Sequence, residues 1–462
     1  MISDLKPYGD YKASSQAWIG DIPQHWSVVP NRALFAEVKD RNHPDGEMLS
    51  VTITKGIVRQ KTLLEGSSKK DGSNLDKSAY KLVQPREIAY NKMRAWQGAI
   101  GVSALRGIIS PAYVVMRLRK EACVPGYFHH LYRTPQFAKE AERWSYGITS
   151  DMWSLRPEHF KMIYTPEPPP EEQVAIVRFL EWANGRLERT VRAKRKVIAL
   201  LNEQKQAIIR RAVTCGLDSS VPLKPSSIPW LGDIPRHWEQ IPIKRLLSRM
   251  DYGTSEASTE SGKIRILTMG NIQKGEVVMP RSGGLDYVPD ALLLGHHDLL
   301  FTRTNGNPEL VGKVGIFRGQ VSDGVSFASY LVRLRVKREC DAQWLHMLLN
   351  SSAFWPFARS HALVNLQTNL NSTRYGQFLV PVPPKAEQTQ IVAWVANEAN
   401  SLNTAISRLE REISLLTEYR TRLVADVVTG KLDVREAAAR VPEQVDDTDF
   451  SDEAEAADED AT

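Results

Sequence analysis

The chain has 462 residues, enough for two or more domains, and its formal charge of +6 becomes +16 over residues 1–441 because Pro442–Thr462 holds ten acidic residues and no basic ones. Such a basic body suits a polyanionic partner, and the acidic end reads as a disordered tail. Three scattered cysteines (Cys123, Cys215, Cys340) exclude a disulfide framework and cysteine metal spacing, while the lack of a long apolar stretch or a signal-peptide pattern leads to the expectation of a soluble, cytoplasmic chain with no membrane contact.

In chain order, the first landmark is Ile19-Gly20-Asp21-Ile22-Pro23-Gln24-His25-Trp26, which returns as Leu231-Gly232-Asp233-Ile234-Pro235-Arg236-His237-Trp238. Each copy leads into a short helical stretch, Asn31 to Phe35 and Ile243 to Leu247. His25 and His237 sit between a proline and a tryptophan with no second catalytic residue type at helical spacing, so packing is the better reading. Between Phe35 and Thr165 the pattern is short strands and turns, with strands at Leu49 to Ile53, Ile88 to Tyr90, Ile100 to Val102 and Tyr113 to Leu118. Tyr127 to Arg143 reads as an aromatic-rich helix pair. The second body runs in the same order: strands at Lys263 to Leu267, Asp298 to Phe301, Gly312 to Phe317 and Tyr330 to Val336, then helices over Gln343 to Phe357.

Each body is followed by a proline-rich lead-in, Pro168-Pro169-Pro170-Glu171-Glu172-Gln173 and Pro383-Pro384-Lys385-Ala386-Glu387-Gln388, and then by a long helix. In the first helix an a/d seam runs through Val177, Leu180, Leu187, Val191, Ile198, Leu201 and Ile208, with interruptions at Asn184, Lys194 and Lys205. In the second it runs through Val395, Leu402, Ile406, Leu409, Ile413, Leu416 and Leu423. A helix of some 40 residues is a rod of roughly 60 Å, too long to bury in one ordinary domain, and its natural partner is the other copy. Glu171 to Cys215 holds ten Lys/Arg and five Asp/Glu, whereas Lys385 to Val434 holds six and seven, a workable pair.

The polar residues able to read bases lie just after strands. Asn91, Lys92, Arg94, Trp96 and Gln97 precede Gly98, and the equivalent stretch carries Arg303, Asn305 and Asn307. Arg and Lys match guanine O6/N7, and Asn and Gln match adenine N6/N7. Asn365, Gln367, Asn369 and Asn371 place amides on alternate residues, so an extended backbone would point them to one side. The first body's counterpart of that stretch is Ser150 to Arg156. Lys55, Arg156, Arg265 and Arg374 complete the candidate DNA contacts. No catalytic or metal site is expected: Gly306 to Lys313 departs from a phosphate-binding loop, and the pairs His129-His130 and His296-His297 lack a carboxylate at ligand spacing.

Two divergent bodies, each with the Gly-Asp-Ile-Pro-x-His-Trp opening, a Pro-Pro hinge, a Glu-Gln pair and a long heptad helix, resemble the specificity subunit of type I restriction–modification enzymes over about residues 17–434. Residues 91–98 and 301–306 also look like segments of that family's target recognition domains. The resemblance implies an α+β fold: two tandem, pseudo-two-fold-related α/β target recognition domains separated by a long antiparallel two-helix coiled coil. The corresponding domains are 1–165, first target recognition domain; 166–217, central long helix; 218–380, second target recognition domain; 381–434, C-terminal long helix; and 435–462, acidic disordered tail. The implied role is a non-catalytic subunit that recognises a bipartite, asymmetric double-stranded DNA site. It would direct two methyltransferase subunits and two restriction subunits. No cofactor is expected on this chain; S-adenosylmethionine, ATP and Mg2+ belong to the partners. The rival reading is a coiled-coil scaffold or interaction protein without DNA specificity.

Overall fold

The computed structural model describes residues 5–64, 76–147, 153–228, 230–280, 282–364 and 368–442. By its internal contacts the chain divides into two compact units, one made of residues up to 193 and from 411 onward, the other of Lys194–Glu410.

In the first unit, the Asp-Ile-Pro stretch of the opening is a short strand, and Ser27–Pro30 pairs antiparallel with Tyr164–Glu167. The central sheet is antiparallel throughout, in the order Phe35–Val38, Tyr113–Leu118, Ile88–Asn91, Ile100–Val102. Helices Pro125–Tyr132 and Pro135–Arg143 each begin on a proline, whose fixed φ suits a first helical turn. Their Phe128, Tyr132 and Phe137 fill the core together with Phe35 and Phe160; all five are fully buried and pack edge-on or tilted. The buried amide of Asn31 meets this aromatic mass with three hydrogen bonds. Its Oδ1 accepts from Tyr132 and Thr165, both at 2.7 Å, and its Nδ2 donates to the Phe160 carbonyl at 3.1 Å. A buried amide is tolerated only when satisfied in this way.

The second unit repeats the plan. Glu239–Pro242 pairs with Leu379–Val382, and a six-stranded sheet opens with Leu247–Tyr252, Leu331–Val336, Leu299–Thr302 and Val314–Ile316 in an order matching the first unit. Two short strands, Glu276–Val277 and Ile272–Gln273, extend its edge. The core is built on Trp238, Trp344, Phe354 and Tyr375, with Phe301 stacked on Tyr375 at 4.4 Å. One ion pair recurs at matching places: Glu87 with Arg117 at 2.7 Å, and Asp298 with Arg335 at 2.6 Å. Each acid comes directly after a residue held at positive φ, Arg86 and His297. The second unit adds the fully buried Arg333, which bonds Asp251 and the Ala291 and Leu293 carbonyls.

The two long helices are Pro170–Cys215 and Lys385–Val428, 46 and 44 residues. None of the fourteen seam residues is exposed. Leu180, Leu187, Val395 and Leu423 are buried, while Val177, Val191, Ile198, Leu201, Ile208, Leu402, Ile406, Leu409, Ile413 and Leu416 are half-buried. In the first unit Arg420 pairs with Glu188 at 2.9 Å, and in the second Lys205 donates to Asn403 at 2.8 Å. The tail begins later than residue 435. Arg435–Ala439 is a helical turn, and Val434, Ala437, Ala438 and Val441 are buried in the first unit's core, because this short apolar run covers the start of the first long helix's buried face. Residues 443–462 lie outside the described ones.

At both junctions one arrangement recurs. The buried Glu172 takes His25 Nε2 on one oxygen at 2.7 Å and the Tyr8 hydroxyl on the other. Its counterpart Glu387 takes His237 Nε2 at 2.8 Å and Trp238 Nε1 at 3.1 Å. The next residue closes the joint: Gln173 accepts from Val124 N and donates to the Pro168 carbonyl, both at 2.9 Å. Gln388 accepts from Asp341 N at 2.7 Å and donates to the Pro383 carbonyl at 2.9 Å. The far end of the other long helix arrives at the same place. It ends on a glycine at positive φ, Gly430 (+79°) beside Pro23 and Trp26, and Gly216 (+75°) beside Trp238 and Glu387.

The two glycines differ in room. A Cβ on Gly430 would lie 2.4 Å from Pro23 Cδ and 3.0 Å from Trp26, whereas on Gly216 the closest atoms are Glu387 Oε1 at 3.1 Å and Trp238 at 3.3 Å. Both substitutions to alanine pay the left-handed cost of about 1–2 kcal/mol. Gly430→Ala adds overpacking of about 1–3 kcal/mol. Denaturant titration should therefore find Gly430→Ala the more damaging of the two; equal losses would mean that the close packing around Pro23 is not maintained in solution.

Candidate nucleic-acid interface

In the first unit the candidate residues lie on three segments that touch. Asn91 ends its strand and turns the chain, its Oδ1 accepting from Met93 N at 3.0 Å. Arg94 precedes a single turn, Ala95–Gln97, which ends on Gly98 at φ +95°. Arg94 and Gln97 are exposed, and Lys92 is half-buried. Trp96 is pinned: its Nε1 donates to the Met93 carbonyl at 2.9 Å and its ring meets Trp153 edge-on at 5.6 Å. It shapes the loop more than it faces solvent. The carbonyl of Lys92 accepts from Leu155 N at 2.8 Å, which brings the exposed Arg156 to the same loop. The turn carrying the exposed Lys55 lies against it too. Arg133 donates to the Ile53 carbonyl at 3.0 Å and to the Ile100 carbonyl at 3.1 Å, tying that turn to the sheet.

The second unit brings together Arg303, Asn305, Asn369 and Arg374. Thr304–Asn305 pairs with Thr368–Asn369, and Arg303 Nε donates to Asn369 Oδ1 at 3.1 Å while its guanidinium lies 5.1 Å from the centre of the Tyr252 ring. Asn305 and Asn307 spend their side-chain oxygens on local turns, accepting from Asn307 N and Glu309 N at 2.9 Å each. Arg374 is exposed on the short helix Ser372–Gln377. The alternating row of amides is not a single comb, as far as it is described. Asn369 supports Arg303, and Asn371 caps the helix by accepting from Arg374 N at 3.2 Å, because an amide before a helix is drawn to its free N–H groups. Asn365 and Gln367 lie outside the described residues. Arg265 stands apart from this group: it is exposed on the strand Ile264–Leu267, beside Met279, Arg318 and Asp323.

Sequence reasoning missed several neighbours. Tyr252 and Tyr330 are 44% and 47% exposed on either side of Arg303, whose N–H bonds the Tyr330 carbonyl. Lys313 and Arg359 lie 4.9 and 5.7 Å from the Trp355 ring at the far end of the same loop, and burial lowers the Lys313 pKa. Their sequence separation hides them, since Lys313 and Arg359 stand 46 residues apart.

Among the described residues no group of three or more His, Cys, Asp or Glu could hold a metal ion, and no helix is long and apolar enough to cross a membrane. The His129-His130 pair is packing: burial lowers the two pKa values to about 3 and about 4, and His129 Nδ1 accepts from Val102 N at 3.2 Å.

No protein-family model matches the sequence. The chain is 22% identical over 436 residues to the EcoKI type I restriction enzyme specificity subunit of Escherichia coli K12, covering 89% of this chain and 90% of the relative. It is 20% identical over 430 residues to the StySPI specificity subunit of Salmonella potsdam, with the same coverage. The fold matches a chain from a structure of type I R-M complex assembly and conformational transition, with a TM-score of 0.62 at 13% identity over 89% of this chain and 99% of that one. The chain is thus similar along nearly its whole length to type I specificity subunits, and its fold is of the α+β kind.

The histidine pair also sets a pH dependence. Both folded values lie below the ordinary value of 6.5, so the stability they contribute is complete above pH 6.5 and is lost as pH falls to about 4 for His130 and about 3 for His129. Between pH 7 and pH 5 the loss should be about 1–2 kcal/mol per histidine. Urea titrations of the native chain and of a His129→Gln/His130→Gln variant measure it; an equally steep pH dependence in the variant would show that other groups carry it.

Proposed function

We propose that this chain is the DNA-reading specificity subunit of a type I restriction–modification enzyme, each unit carrying a target recognition domain for one half of a split site. The observation that carries the reading is a matched pair of loops. Equivalent strands of equivalent sheets, Ile88–Asn91 and Leu299–Thr302, run into loops that share a position and differ in side chains. Arg94 and Arg156 on one side and Arg303 and Arg374 on the other have the donors for guanine or phosphate. Arg303 sits preorganised by Asn369 and Tyr252. The chain itself performs no chemistry. Adenine methylation with S-adenosylmethionine and ATP- and Mg2+-dependent cleavage belong to two methyltransferase and two restriction subunits.

The long helices are proposed as an antiparallel spacer between the two recognition domains. Supporting this, each unit holds the start of one long helix near the end of the other: Gly430 packs on Pro23 and Trp26 beside the His25 that binds Glu172, and Gly216 packs on Glu387. Apolar residues off the seam suit partner helices: Leu415 and Tyr419 are 59% and 42% exposed in the first unit, Val197 and Leu200 44% and 55% in the second. A scaffold without DNA specificity would have no use for two divergent basic loops on a repeated frame.

The test is modular. Replacing residues 36–165 by the same body of a relative should change one half of the methylated motif and leave the other as it was, read by sequencing the methylated bases of a host carrying the complete system. In binding assays Arg303→Ala should cost about 1–3 kcal/mol on the cognate site and relax one position. A change in both half-sites, or in neither, would rule the modular reading out. A uniform loss on all DNA would make Arg303 a phosphate contact.

A further inference from the structure

We propose that the acidic C-terminal segment, residues 443–462, docks on the outer basic face of the first long helix, within the first unit of the same chain. The last described turn delivers the segment there: Val441 is buried in the first unit's core and its carbonyl accepts from Arg178 on that helix. Beyond Arg178, residues Arg186, Arg189 and Arg192 come at spacings that keep all four within about 120° of helix circumference, opposite the seam positions Leu180, Leu187 and Val191. Arg186, Arg189 and Arg192 are exposed, and none lies in an ion pair with a carboxylate of the described residues. Arg186 lies 5.3 Å from the centre of the Trp182 ring. The nearby Glu188 is already engaged by Arg420.

Charge and length select the occupant. The segment carries ten Asp/Glu and no Lys/Arg over 20 residues, and it starts beside the first arginine of the stripe. Arg178 to Arg192 spans about 21 Å of helix at ~1.5 Å per residue. Nine extended residues from Pro442 to Ser451 reach up to about 30 Å. The segment therefore covers the stripe without help from a second copy. Docked, it would neutralise a basic surface that otherwise attracts nucleic acid non-specifically, and salt would release it. The inference does not depend on the DNA-reading proposal, since its readout needs no DNA.

Pulsed electron–electron distance measurements on the full chain test it, with spin labels at Ala193→Cys and Ser451→Cys in a Cys215→Ser background; Cys123 and Cys340 are buried. At low salt a narrow distribution below about 30 Å is expected, unchanged on dilution with unlabelled chain. It should broaden at 0.5 M salt, in Arg186→Gln/Arg189→Gln/Arg192→Gln, and in a chain with all ten tail acids changed to amides, while helicity by circular dichroism stays the same. A broad distribution at low salt overturns the proposal, as does a narrow one that survives either set of substitutions. Loss of the short distance on dilution would assign the contact to another copy and overturn it too.

Discussion

Both units depend on the same joint, a glutamate–glutamine pair at the start of a long helix. Glu172 and Glu387 receive the histidines of the two openings, and Gln173 and Gln388 receive a backbone N–H and return a hydrogen bond to the proline lead-in. Glu172 is buried, where a carboxylate is stable only with donors on both oxygens, while Glu387 is half-buried and takes the same two donors. Tyr8 and His25 supply them in one unit, Trp238 and His237 in the other. Because the end of the other long helix packs at the same spot on a left-handed glycine, one small cluster fixes the opening, the body and two helix termini. That explains why the repeat retains the opening, the Glu-Gln pair and the terminal glycine while the bodies diverge.

Much of this was legible in the sequence. The paired openings, the lead-ins, the two long helices and most strands of the central sheets come from periodicity and from proline and glycine placement, which are local signals. The partners of His25 and His237 were not legible, since 147 and 150 residues separate each from its glutamate. The packing reading of those histidines misses their place in the structure: both imidazoles are exposed, each hydrogen-bonded to a glutamate. The same limit hid the Glu87–Arg117 and Asp298–Arg335 pairs, and it let residues 435–441 pass as tail although Val434 and Val441 close the first core.

For the candidate interface, residue type told more than geometry. Arg94, Arg156 and Arg374 are exposed where composition placed them, but Trp96 turned inward onto Trp153, and Asn305 and Asn307 are spent on their own turns. Arg303 reads differently once Tyr252 and Asn369 are beside it: a guanidinium held in place loses less freedom when it meets a base or phosphate. The aromatic residues that orient these cations come from distant strands and helices, so no window of sequence could have joined them.

The role proposed for the paired helices is to measure the distance between two separately reading bodies. Inserting four residues after Leu201, with no change near Leu416, lengthens one helix by ~6 Å and rotates the body at its far end about the helix axis. That is nearly two base pairs of B-DNA at ~3.4 Å each. Selection of bound DNA from a library of randomised spacer lengths is the direct measurement. The preferred spacer should change by one or two base pairs with both half-site sequences kept. An unchanged spacer preference in a folded, DNA-binding variant would contradict it, leaving the helices as a brace that does not measure the site.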